Sequence, residues 1–218
     1  MRDAIDRLNR KHGGGFFFSL RPRVHSETQN EFIGRERKRG AITELVRAVK
    51  GNTKNFCFLH GDVSELNKVK YIIALDADTD LVFDSARELI AIAEHPLNRP
   101  LIKNGRVVSG YGILSPKTEI RRDGKNTTFF QLIMAGDSGI TAYDSVSSER
   151  YQDLFGEGIF CGKGLIDVET YYRLLDKGLP KERILSHDIV ESGYLRTGFI
   201  PDVQITEAFP KTVTSYYQ

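Results

Sequence analysis

The feature that most constrains this chain is an apolar run that leads directly into two carboxylates spaced one residue apart. Residues 71–75 read Tyr-Ile-Ile-Ala-Leu, and Asp76, Ala77 and Asp78 follow them. A run without polar alternation is typical of a strand covered on both faces, so we expect a central strand of a sheet. Because side chains alternate across a strand, Asp76 and Asp78 are predicted to project from the same face at its carboxyl end.

Two interpretations fit this pair of aspartates. In a loop after a strand they can jointly hold a hard divalent cation, Mg²⁺ or Mn²⁺, which in turn holds a diphosphate. Alternatively, they belong to an Asp-rich turn whose side chains only satisfy backbone groups. The segment by itself is equally compatible with both interpretations.

Composition indicates a folded protein with no strong bias toward a charged partner. The chain has 218 residues, 40% of them hydrophobic, and a net charge of +2, which gives no reason to expect nucleic-acid binding. Only Cys57 and Cys161 are present, so a reducing compartment is expected rather than a disulfide framework. No apolar run approaches the roughly 20 residues that span a bilayer, and we expect the segment itself to be soluble.

Helix and strand patterns alternate along the chain, and this predicts an α/β architecture with a largely parallel sheet. The polar stretch 135–150 is expected to be a mobile loop. Helices are predicted over 3–11, 37–50, 84–94, 127–135, 169–176 and 186–196, and strands over 16–20, 56–59, 71–75, 107–114 and 200–209.

Two glycine-containing segments are candidate ligand contacts. Residues 34–41 place four cations within five positions at a predicted helix start, where the helix dipole disfavours them. They either meet an anion such as a phosphate or form a solvated basic turn with Glu36 as partner. Residues 156–164 contain four glycines in nine positions, which allows close approach of a ligand or positive φ. The spacing fits neither a dinucleotide fingerprint nor a P-loop.

A carboxylate at the start of a predicted helix is the last candidate. Asp188 falls in the first turn after Ser186, where the dipole favours its ionised form. It is either a capping residue or a base. His187 is a ligand, a substrate contact or a surface residue.

Together these segments resemble the glucosyltransferase domain of cyclic β-1,2-glucan synthases, which belong with the processive, inverting GT-A glycosyltransferases. The resemblance covers almost the whole chain in order. It is carried by Glu-Arg-Lys-Arg-Gly-Ala at 36–41, Leu-Asp-Ala-Asp-Thr at 75–79, Glu-His-Pro-Leu-Asn-Arg-Pro at 94–100, Asp-Leu-Phe-Gly-Glu-Gly at 153–158, Gly-Lys-Gly at 162–164 and Leu-Ser-His-Asp at 185–188.

The resemblance implies a role for each matching residue. Asp76 and Asp78 would bind UDP-glucose through Mg²⁺ or Mn²⁺, with Asp78 the more direct ligand, and Lys38 would lie along the nucleotide. Asp188 would be the catalytic base; in the family a Glu usually precedes it, and here His187 does. The acceptor β-glucan would be contacted by Phe160, Cys161, Gly162, Lys163 and His187.

The resemblance also implies a context for the chain. Residues 1–218 would form one GT-A-like domain fragment, truncated at both ends, of a larger multidomain synthase at the cytoplasmic face of the inner membrane. A Gln-x-x-Arg-Trp motif found in the family is not present. The fragment is therefore expected to lack full activity. Two rivals stay open: a non-catalytic nucleotide- or glucan-binding module, and a haloacid-dehalogenase-like phosphatase.

Overall fold

The computed structural model describes residues 1–121, 128–134, 150–176, 179, 184 and 186–216. Most of the loop predicted over 135–150 lies outside these residues. In chain order the elements are α1 (Arg2–His12), β1 (Phe17–Leu20), β2 (Arg23–Ser26), β3 (Glu31–Gly34), α2 (Arg37–Val49), β4 (Phe58–Gly61), β5 (Tyr71–Ala74), β6 (Thr79–Leu81), α3 (Ser85–Glu94), β7 (Leu101–Lys103), β8 (Arg106–Ser109), β9 (Ile113–Arg121), α4 (Phe129–Met134), α5 (Arg150–Phe155), β10 (Gly164–Asp167), α6 (Val168–Leu175), α7 (His187–Leu195), β11 (Thr197–Ala208) and α8 (Val213–Tyr216), with 3-10 turns at Leu66–Lys68 and Pro96–Asn98.

The described chain divides into two compact units. The first comprises Met1–Ile72 and Val168–His187, and the second comprises Ile73–Asp167 and Asp188–Gln218. The boundaries therefore fall inside β5, between β10 and α6, and after the first residue of α7. No helix among the described ranges has both the length and the apolar character that a membrane crossing requires.

In the first unit, helix α2 packs its apolar face against α6. The face is formed by Ile42, Val46 and Val49, which recur at helical spacing and are buried. Helix α6 contributes the fully buried Tyr171, whose hydroxyl is 2.9 Å from the hydroxyl of Thr43. Strand pairs β1–β4 and β2–β3 are both antiparallel.

The second unit is organised around a five-stranded sheet with the order β5-β10-β9-β11-β6. Strands β9 and β11 are parallel, whereas the pairs β10–β9 and β11–β6 are antiparallel. The core lies on the middle strands, where Ile113, Leu114, Leu165, Ile166 and Ile205 are almost completely buried. The sheet is therefore mixed, and its best-covered strands are β9, β10 and β11.

The predicted α/β class is confirmed, and most predicted helices and strands form at the expected positions. The largely parallel sheet is wrong, because only one of the three pairings given above is parallel. The central placement of residues 71–75 is also wrong, since β5 is the first strand in the sheet order. Its residues are alternately half-buried and buried. An apolar run shows that the faces of a strand are covered, but it does not show how many neighbouring strands it has.

Gly164 opens β10 in a backbone conformation that only glycine adopts without strain. Its φ is +142°, and a Cβ there would overlap the carbonyl oxygen of Leu114 on β9. We expect Gly164→Ala to lower the free energy of unfolding by roughly 2–5 kcal/mol, because backbone strain and steric overlap add. Urea unfolding measures this difference.

The matched control is Gly105→Ala. Gly105 also has positive φ, +75°, but a Cβ there meets no atom within 4 Å. In this variant the free energy of unfolding should fall only by the cost of placing a Cβ on a left-handed backbone, about 1–2 kcal/mol. An equal decrease in the free energy of unfolding of the two variants would show that the close approach to Leu114 does not affect stability.

Candidate functional site

Asp76 and Asp78 lie in the turn that joins β5 to β6. Strand β5 ends at Ala74, and the backbone N–H of Thr79 donates to the carbonyl of Asp76 at 3.2 Å, which closes the turn. Both aspartates are exposed. The pair therefore follows a strand as predicted, but its geometry comes from a turn rather than from alternation along the strand.

A third carboxylate, Glu207 on β11, joins this pair. Strands β6 and β11 are antiparallel and place Glu207 opposite Thr79. Oxygens of Asp76, Asp78 and Glu207 lie within 4.8 Å of one another. Glu207 is only 5% exposed, and it accepts a hydrogen bond of 2.9 Å from the hydroxyl of Thr79. The long-range strand pairing thus creates an acidic cluster with one buried and two exposed members.

Lys163 is the cationic partner of this acidic cluster. Its ammonium contacts the Oε1 atom of Glu207 and lies 3.9 Å from Oδ2 of Asp76. Carboxylate oxygens at this spacing are the donors that hard divalent cations such as Mg²⁺ and Mn²⁺ prefer, so the donor set fits such an ion.

The loop that carries Lys163 also touches Asp188. Asp188 is half-buried in the first turn of α7, as predicted. Gly162 has φ +80°, and a Cβ at that position would be 3.2 Å from Oδ2 of Asp188. At Gly162 the backbone of the loop therefore lies close to the carboxylate of Asp188, with no side chain between them. Because Gly162 and Lys163 are consecutive, one loop contacts both Asp188 and the acidic cluster.

The other residues of this loop differ in accessibility. Phe160 is 2% exposed and packs in the core, so any contribution to acceptor binding would be indirect. Cys161 is half-buried. Gly156, Gly162 and Gly164 all have positive φ, which agrees with the backbone freedom expected from this glycine-rich segment. The predicted acceptor role of residues 160–163 stays a prediction.

Lys38 and His187 both belong to the first unit, near the start of α2. His187 Nε2 is 3.1 Å from the carboxylate of Glu36, which also pairs with Arg39 at 3.3 Å. Glu36 and Arg37 both have positive φ, an uncommon conformation for residues other than glycine. Lys38 is half-buried in the first turn of α2.

Arg21 holds this turn in place. Its guanidinium donates to the carbonyl oxygens of Arg35 at 2.8 Å and of Arg37 at 2.7 Å. Burial lowers the pKa of Arg21 from its ordinary value. An arginine remains charged despite such a shift, so Arg21, from outside residues 34–41, can bind two backbone carbonyls of the basic segment. For the cations of residues 34–41 themselves, both interpretations stay open: contact with an anion, or a solvated turn.

Glu207 and Thr79 were not predicted as site residues. A signal for Glu207 is present in the sequence. Val203, Ile205, Glu207 and Phe209 alternate along and just beyond β11, and all four are buried. A carboxylate at a core-facing position needs compensation by hydrogen bonds or by an opposite charge. This pattern therefore identifies Glu207 as a candidate site residue.

Sequence comparison relates the chain to a glucan synthase. The relative is the cyclic beta-(1,2)-glucan synthase NdvB of Rhizobium meliloti (strain 1021), which is 35% identical over 198 residues. The aligned region is 89% of this chain but only 7% of the relative. No protein-family model matches the chain. The relationship to this kind of synthase, predicted from the motifs, is therefore confirmed for a short segment of the larger protein.

Proposed function

We propose that this chain forms the core of a glucosyltransferase that transfers glucose from UDP-glucose to a growing β-1,2-glucan. The observation that carries the proposal is the loop 162–164, which lies against Asp188 and also reaches the cluster of Asp76, Asp78 and Glu207. The relationship to a cyclic glucan synthase supports the choice of sugar and product. The fold of the active domain would be of the GT-A type.

In this proposal Asp76 and Asp78 hold Mg²⁺ or Mn²⁺, with Asp78 as the more direct ligand. Both side chains are exposed, as binding of an ion with a diphosphate requires. When bound, the cation would stabilise the negative charge of the departing diphosphate. Lys38 would lie along the nucleotide, as the resemblance to cyclic β-1,2-glucan synthases implies.

Asp188 is proposed as the general base of an inverting displacement. Conversion of an α-linked donor into a β-glucan in one step requires removal of the proton from the acceptor hydroxyl as it attacks. Asp188 supplies a carboxylate in the first turn of α7 that can accept that proton. Phe160, Cys161, Gly162, Lys163 and His187 are proposed to shape the acceptor side.

The larger context is part of the same proposal. The chain spans 7% of its relative, so the other domains of a membrane-bound synthase would be its partners. The catalytic face would then be cytoplasmic, where nucleotide sugars are available. The β-glucan acceptor would extend from this face.

Calorimetric titration of UDP and UDP-glucose into the chain, with and without Mn²⁺, tests the proposal. We expect binding of both nucleotides that depends on Mn²⁺, and slow hydrolysis of UDP-glucose in its presence. Mn²⁺-dependent binding without hydrolysis would favour a non-catalytic nucleotide- or glucan-binding module. Hydrolysis of simple phosphate esters without nucleotide binding would favour a phosphatase. Absence of nucleotide binding in both conditions would refute the donor site.

A further inference from the structure

We propose that the ammonium of Lys163 is an internal counter-ion that competes with the divalent cation for the acidic cluster. This inference rests on the proposed function, because it concerns the cation site formed by Asp76, Asp78 and Glu207. It gives Lys163 a role at the cation site in addition to the proposed contribution to the acceptor side. In this role Lys163 is a positioning residue that sets how tightly the cation is held.

The geometry places Lys163 among the carboxylates. Its ammonium contacts Oε1 of Glu207, the same oxygen that accepts the hydroxyl of Thr79, and it lies 3.9 Å from Asp76. The Lys163 side chain is 16% exposed and that of Glu207 is 6% exposed. The ion pair is thus largely withdrawn from water, where charge interactions are screened less than at the surface.

Charge compensation explains why an ammonium is located there. A buried carboxylate without a partner carries a large desolvation cost, and Lys163 offsets this cost for Glu207. A divalent cation bound by the three carboxylates would supply the same compensation with twice the charge. Two cations so close repel each other, so Lys163 has to leave Glu207 when the ion binds.

Departure of Lys163 would affect the loop beside the proposed base. Gly164 is held against the carbonyl of Leu114, and Gly162 lies against the carboxylate of Asp188. Lys163 stands between them, and its side chain ties the loop to Glu207. Cation binding would release this tie and thereby loosen the backbone that contacts Asp188. Binding of the cation at the donor site would in this way change the packing of the loop against Asp188.

The test is calorimetric titration of Mn²⁺ alone into the wild-type chain and three variants. Lys163→Met removes the charge and keeps an unbranched side chain, so we expect Mn²⁺ to bind about tenfold or more tightly. Lys163→Arg retains the charge and should bind with nearly wild-type affinity. The matched control is Lys117→Met, because Lys117 is another partly buried lysine of the second unit, paired with Glu119 at 2.9 Å. It should not alter the affinity.

Unchanged or weaker Mn²⁺ binding by Lys163→Met, with clear binding by the wild type, would overturn the inference and leave the proposed function intact. Absence of Mn²⁺ binding in all four proteins would instead refute the cation site itself, and the inference with it. Thermal melting provides a second readout. In EDTA the Lys163→Met variant should melt below the wild type, and Mn²⁺ should restore it. A variant that stays unfolded even with Mn²⁺ would show that the cation cannot replace the ammonium, which also overturns the proposal.

Discussion

Asp188→Asn is expected to lower the rate of glucosyl transfer by a factor of about 10²–10⁴, the usual contribution of a general base. Binding of UDP-glucose should be unchanged, because the carboxylate accepts its proton only as the acceptor hydroxyl attacks. The loss should therefore fall on kcat rather than on the affinity for the donor. The measurement is the transfer rate in a protein form that synthesises glucan, with donor affinity determined on the same sample.

The Asn substitution separates catalysis from helix capping. Asn is itself a good residue at the start of a helix, so a purely structural Asp188 would be replaced with little change in melting temperature or rate. Asp202→Asn is a suitable control, since Asp202 is an exposed aspartate on β11 in the same unit. A near-wild-type transfer rate for Asp188→Asn would exclude Asp188 as the base.

Asp78→Asn is expected to abolish the Mn²⁺-dependent part of UDP binding while the fold stays intact. The substitution removes a ligand charge with almost no change in volume, and hard divalent cations depend strongly on the charge of their oxygen ligands. Because Asp78 is exposed, its replacement leaves no buried group without a partner. Titration of UDP with and without Mn²⁺ gives the result, and circular dichroism checks the fold.

Asp80→Asn is the matched control for this experiment. Asp80 is two residues further along the chain, is also exposed, and pairs with Arg121 rather than joining the acidic cluster. It should bind UDP with the metal dependence of the wild type. If Asp78→Asn behaves in the same way as Asp80→Asn, Asp78 is not a cation ligand and the two aspartates only form a turn.

These two experiments examine different steps of the proposed reaction. Loss of a cation ligand acts on donor binding, which is a ground-state property, whereas loss of a base acts on the transition state. An Asp188 variant that still binds UDP with Mn²⁺ would show that the donor site forms independently of the base. An Asp78 variant tested for transfer should fail because it holds no donor.

Local patterns in the sequence were sufficient to predict six of the eight described helices, several strands and the main candidate residues, but not α5 or α8. The apolar spacing of Ile42, Val46 and Val49 is typical of a helix and fits α2, and α1 ends at Gly13, with φ +79°, close to the predicted helix end at residue 11. The two aspartates after the apolar run and Asp188 at a helix start are also local signals. Such features depend on neighbours a few residues away, which a sequence displays directly.

The tertiary structure alone decided which of these residues meet. Pairing of β11 with β6 brings Glu207 to a turn 128 residues earlier in the chain, and the loop before β10 delivers Lys163 to the same carboxylates. The edge position of β5 and the mixed sheet arise from the same long-range pairing. Periodicity specifies which face of a strand is covered, but not which distant strand lies beside it, because that choice is made by the packing of the whole sheet.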